Sequence, residues 1–141
     1  MLAPVEPAGL KRRVLVVEDH PLMRRSIVEA LEREPDLAVC GQADDTLEAL
    51  EAIASLRPDL VLTDIQLKSS NGLDLIKTLR ARTPELPVVA ATMFNVNQTE
   101  RLARAAGATG FVSKQLGPEK LVATIRAVLK QATNYRENPR T

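Results

Sequence analysis

Four short apolar runs in this chain each stop on a polar residue: VLVV runs into Glu18 and Asp19, LVLT into Asp64, VVAA into Thr92, and FVS into Lys114. A fifth run, LAVC, ends at Cys40. Segments with apolar residues at helical spacing separate the runs. Strand-length runs alternating with amphipathic helices are the pattern of βα units wound onto a parallel sheet. The spacing predicts strands near 13–18, 36–41, 59–63, 87–92 and 109–113, and helices near 21–34, 44–56, 71–82, 97–106 and 117–131. In a parallel sheet the carboxyl ends share one edge, where open α/β sheets place their ligand site. Two acidic strand ends, a hydroxyl and an ammonium are therefore expected to converge there.

Local signals fix the helices. Pro21 sits at the opening turn of the first, where a missing N–H costs nothing, and Pro35 stops it. Met23, Ile27, Ala30 and Leu31 form its core stripe, which turns Leu22, Ser26, Glu29 and Arg33 outward. Arg24 and Arg25 read as a solvated face. Asp19 has a second expected role as the cap of this helix, and His20 reads as a cap or a solvent-facing group. Asn71-Gly72 is a turn dipeptide before the third helix, whose core residues are Leu73, Ile76 and Leu79 or their neighbours. Gly107 reads as a left-handed cap of the fourth helix, and Leu121, Ile125, Val128 and Leu129 give the fifth its apolar stripe.

Composition removes several function classes. The 141 residues suit one domain with a proper core, and a net charge of +1 argues against a nucleic-acid or membrane surface. Aromatics make up 2%, so the core must be aliphatic and base stacking is not expected. One cysteine excludes an internal disulfide framework, and Cys40 reads as a small apolar strand residue. No stretch is apolar for long enough to span a bilayer, and MLAPVEPAGLKRR lacks the apolar region of a signal peptide, so the expected location is cytoplasmic.

The segments VLVVEDHPLMRRSI, RPDLVLTDIQLKSSNGLDLI, LPVVAATM and AGATGFVSK, in that order, resemble the receiver domain of two-component response regulators from about Val14 to Leu129. DHPLMRR and PDLAVCGQA further resemble the subfamily with LuxR-type (NarL/FixJ-like) helix-turn-helix output. The resemblance implies a flavodoxin-like (CheY-like) three-layer α/β fold: a five-stranded parallel sheet of order 2-1-3-4-5 with five helices. It divides the chain into a flexible segment 1–12, a receiver domain 13–131, and a tail or linker start 132–141 that includes most of the loosely ordered end QATNYRENPRT.

By position, the resemblance makes Asp64 the phosphoacceptor for a histidine kinase or phosphotransfer protein. Glu18, Asp19, Asp64 and the backbone carbonyl of Gln66 would hold Mg2+. Thr92 would bond the phosphoryl oxygen, Lys114 would pair with its charge, and Phe111 takes the aromatic switch position. Gln66 and Phe94 flank the path of the hydrolytic water, and a large apolar Phe94 leaning over the site would lengthen the phosphorylated lifetime. Leu22, off the core stripe beside the site, is a candidate docking anchor, with Met23 and Ser26 near it. A homodimer on phosphorylation is a further expectation; direct nucleic-acid binding by this chain, membrane association and turnover as an enzyme are not expected.

Elementary electrostatics agrees with the assignment. Paired carboxylates about 5 Å apart repel by roughly 3 kcal/mol at an effective dielectric near 20, and a phosphoryl group adds a charge of about −1.5 to −2. Such a cluster needs a cation, and magnesium prefers oxygen ligands and bridges carboxylate to phosphate. Two positions depart from the usual receiver pattern: Gln115 and Lys68 stand where proline is common. A binding module with this fold that works without phosphorylation is the alternative reading. An aspartyl-phosphate phosphohydrolase is disfavoured, because those enzymes usually carry an acid where this chain has Gln66.

Overall fold

Alternation along the strands decides which helix covers which face. The computed structural model describes residues 11–93 and 96–137. Strands β1 (Arg12–Val17), β2 (Leu37–Ala43), β3 (Leu60–Asp64), β4 (Val88–Thr92) and β5 (Gly110–Ser113) form one sheet of order β2-β1-β3-β4-β5, parallel at every pairing. The helices between and after them are α1 (Pro21–Glu32), α2 (Thr46–Leu56), α3 (Gly72–Arg82), α4 (Val96–Ala106) and α5 (Pro118–Glu137). Val14, Val16, Leu60, Leu62, Val89 and Ala91 face α1 and α5, where Ile27, Leu31, Leu121 and Ile125 meet them. Leu15, Val17, Val61, Val88 and Ala90 face the other way, onto Ala49 of α2, Leu75, Ile76 and Leu79 of α3, and Ala103 of α4. Both layers are aliphatic, as the composition requires, and burying one Leu or Ile side chain contributes about 1.5–3 kcal/mol.

The order of elements, the two-sided core and the cap at Gly107 (φ 118°) match expectation. Several details do not. β2 continues to Ala43, because an irregularity opposite Val14 and Leu15 lets the chain skip Cys40 and resume pairing at Gly41. Helix α5 runs on to Glu137 through the segment read as a loose tail, since the sequence offers no breaker before Pro139. His20, not Asp19, caps α1: its Nδ1 accepts the Met23 N–H at 3.4 Å. Gly72 serves no left-handed turn; it opens α3, and an added Cβ would lie 2.2 Å from the Asp64 carbonyl oxygen.

Two ion pairs of Arg126 close the α1–β2 turn onto α5. Arg126 donates to both oxygens of Asp36, at 3.0 and 2.8 Å, and also to Glu34. The guanidinium holds the Asp36 carboxyl below its ordinary 3.8. A depressed carboxyl stabilises the fold above its unfolded pKa and loses that contribution as pH falls through the folded value. Asp36→Asn is accordingly expected to lower the urea midpoint slightly at pH 7, with the gap closing in titrations taken below pH 3.8. A gap that persists unchanged in acid would assign the effect to something other than this pair.

Candidate functional site

The parallel registers carry the four polar strand ends to one edge. Asp64 pairs with Ala91, one residue before Thr92; Thr92 pairs with Ser113, one residue before Lys114. On the other side of β3, β1 ends beside Thr63 and delivers Glu18 and Asp19. The sheet order reverses between β1 and β3, the position at which doubly wound sheets open a crevice.

Glu18 is held in place by its backbone, whose N–H donates to the Ala43 carbonyl at 3.0 Å. Its carboxylate is 2% exposed, and both oxygens are engaged: Oε2 accepts the His20 N–H at 3.2 Å, and Oε1 pairs with the Lys114 ammonium. Burial pushes the Glu18 carboxyl up, and the Lys114 hydrogen bond and charge partly offset that while the Asp64 charge adds to it. Asp64 Oδ2 stands 3.2 Å from the same ammonium, and Oδ1 accepts the Gln66 N–H at 3.2 Å. Asp19 is half-buried, and its Oδ2 accepts the backbone N–H of Lys68.

One ligand atom each from Glu18, Asp19 and Asp64 lies within 4.8 Å of the other two. A spacing of this order lets carboxylate oxygens share one ion. The Lys114 ammonium pairs with two of these carboxylates, Glu18 and Asp64, and among the described residues the cluster carries more acidic groups than that one cation matches. All donors are oxygens. The set suits a hard divalent cation.

The remaining expected residues fall into place unevenly. Thr92 is fully buried at the end of β4, and Phe111 is half-buried in β5 with its side chain toward the α4 layer. Gln66 is exposed and pairs with Asn71 across the β3–α3 loop. Leu22 is 70% exposed. Met23 is half-buried and packs on the α1–α5 core, so it serves the stripe as well as the surface; with exposed Ser26 it lines a cleft between α1 and the start of α5 that reaches Lys114. Phe94 lies outside the described residues.

Two contacts were not legible beforehand. Arg24, expected in solvent, donates to the Glu18 carbonyl at 3.1 Å and pairs with Asp44, so it braces the end of β1. Its place one helical turn after His20, at the mouth of the site, was the available signal. The Lys68 amide on Asp19 had none, because a backbone donor leaves no mark in side-chain pattern.

The family model of the response regulator receiver domain matches residues 14–126. The chain is 32% identical over 116 residues to the DNA-binding transcriptional activator DevR/DosR of Mycobacterium tuberculosis, a match covering 82% of this chain and 54% of that protein. It is 41% identical over 108 residues to protein-glutamate methylesterase/protein-glutamine glutaminase 4 of Myxococcus xanthus, covering 76% of this chain and 31% of that one. The chain thus spans about half, or less, of these relatives' length. The crystal structure of a LuxR-family two-component response regulator from Aurantimonas sp. SI85-9A1 superimposes with a TM-score of 0.82 at 30% identity, covering 86% of each chain. No helix among the described residues is long and apolar enough to cross a membrane.

Proposed function

The chain belongs to the receiver domains of two-component response regulators, and from that footing we propose that Asp64 takes a phosphoryl group from a histidine kinase or phosphotransfer protein. The observation that carries this reading is the Lys114 ammonium 3.2 Å from Asp64 Oδ2, inside a cluster of three acids at the sheet's carboxyl edge. In the transfer, an Asp64 carboxylate oxygen forms the new O–P bond in line as the donor's N–P bond breaks, and the freed imidazole takes its proton from solvent. Glu18, Asp19, Asp64 and the Gln66 carbonyl would hold magnesium, which supplies countercharge for the carboxylates and the phosphoryl oxygens. Lys114 pairs with the phosphoryl charge, and the Thr92 hydroxyl, one strand over, donates to a phosphoryl oxygen. A bonded Thr92 is drawn toward Asp64 and frees space for Phe111 to follow. That repacks the face built by α4, β5 and α5, the surface offered to an output domain, a partner or a second copy.

The test is intact mass after incubation with acetyl phosphate. Wild type with magnesium should gain one phosphoryl group, while Asp64→Asn, or wild type with excess chelator, should gain none. Labelling that survives either change contradicts the assignment.

Docking is proposed at the cleft beside Lys114. Leu22, next in sequence to the cleft residue Met23, is exposed, and an apolar side chain there gains by being covered. Leu22→Glu is expected to slow transfer from the cognate kinase about tenfold, equivalent to about 1.4 kcal/mol, while labelling by acetyl phosphate is unchanged. Equal loss of both reactions would place the defect in folding or in the site.

A further inference from the structure

The β3–α3 loop, residues 66–71, does more than join two elements. At its base the Gly72 N–H donates to the Ile65 carbonyl at 2.9 Å, Gln66 bridges Asn71, and Leu67 is buried in the α2–α4 layer. At its tip Ser70 Oγ accepts both the N–H and the hydroxyl of Thr46, each at 3.0 Å. Thr46 is the first residue of α2, so its N–H is one of the donors a helix start leaves without an internal partner; Asp45 caps the Glu48 N–H instead. The loop is therefore fastened at both ends. Between the fastenings, the Lys68 N–H is presented to Asp19 Oδ2.

We propose that the Lys68 amide, held by the Ser70–Thr46 latch, is a positioning group for the divalent cation: it fixes the Asp19 carboxylate by one oxygen so that the other is presented to the ion. The proposal rests on the metal reading of the acidic cluster above. Asp19 needs such a partner more than its neighbours do. Glu18 is locked by Lys114 and His20, and Asp64 by Lys114 and Gln66, whereas half-buried Asp19 has the freedom that costs affinity when a ligand must be ordered. Hydrogen bonds to metal ligands from outside the coordination shell are typically worth about 10–100-fold in metal affinity. The donor is a backbone N–H, so any residue but proline supplies it. The latch side chains decide where it points.

The experiment is a calorimetric magnesium titration of unphosphorylated protein, with manganese electron paramagnetic resonance as a second readout. Lys68→Pro removes the donor but installs the residue common here in receivers, and it also removes a positive charge, so the latch variant carries the test. Ser70→Ala leaves the amide but opens the latch; it should weaken binding several-fold and speed hydrogen exchange of the Lys68 amide. Ser69→Ala, an exposed neighbour in the same loop, should change neither. Because proline can distort a loop, Ser70→Ala decides the matter: affinity equal to wild type, or tighter, overturns the proposal and makes the amide a bystander or a competitor of the ion. If wild type itself binds no magnesium, it is the metal reading that fails.

Discussion

Gly72→Ala is expected to lower the thermal midpoint by about 10 °C and to slow Asp64 labelling by acetyl phosphate at least roughly tenfold. Alanine normally favours a helix over glycine by up to about 1 kcal/mol, which argues for the opposite sign. Sterics win here. The added Cβ would lie 2.2 Å from the Asp64 carbonyl oxygen, 2.8 Å from the Ile65 Cα and 3.0 Å from the Asp64 carbonyl carbon, all backbone atoms that cannot rotate away. Either α3 lifts off the sheet or the end of β3 shifts, and overpacking of this kind costs about 1–3 kcal/mol, occasionally more. The shift acts on the residue that carries the proposed nucleophile, so geometry suffers along with stability. Calorimetry and a labelling time course check both parts; a variant that melts and labels like wild type would show that the strand end yields freely.

Lys114→Met should be the most costly substitution within the site when metal is withheld. The ammonium is 7% exposed and shared between Glu18, 2% exposed, and Asp64, 10% exposed. Removing one member of a buried charge group costs about 3–5 kcal/mol, a large part of the roughly 5–15 kcal/mol that holds a domain folded. Glu18 can limit the loss by taking up a proton, since burial already pushes its carboxyl up. A bound cation is the other remedy. Magnesium at about 100 times its Kd stabilises a folded protein by about 2.7 kcal/mol, and the variant, with its carboxylates uncompensated, should gain more from it than wild type does. Urea unfolding in chelator and in magnesium measures the difference. Equal gains in the two proteins would mean that the ammonium and the ion do not serve the same carboxylates.

The fold was legible because the apolar runs are short, aliphatic and alternate with helical stripes, which leaves little besides a parallel sheet covered on both faces. The residues at the four strand ends were legible for the same reason: once VLVV, LVLT, VVAA and FVS are parallel neighbours, Glu18, Asp19, Asp64, Thr92 and Lys114 share an edge. What escaped depends on contacts between segments far apart in the chain. The skip at Cys40 is set by how β2 meets β1. His20, next to Pro21, caps the helix, while Asp19 accepts the Lys68 amide, 49 residues away in sequence. Gly72 looked like a turn residue, yet its role is close approach, which no dipeptide preference encodes.

Reductive trapping with borohydride identifies the phosphorylated residue itself. The reagent converts the acyl phosphate of an aspartate to homoserine, so peptide sequencing by mass spectrometry names the residue that carried the phosphoryl group. Protein incubated with a phosphodonor and magnesium should show homoserine at position 64 and at no other acid of the cluster, with none formed when magnesium is chelated. Homoserine in place of Glu18's neighbour Asp19, or a phosphorylated protein that yields no homoserine at position 64, would contradict the account.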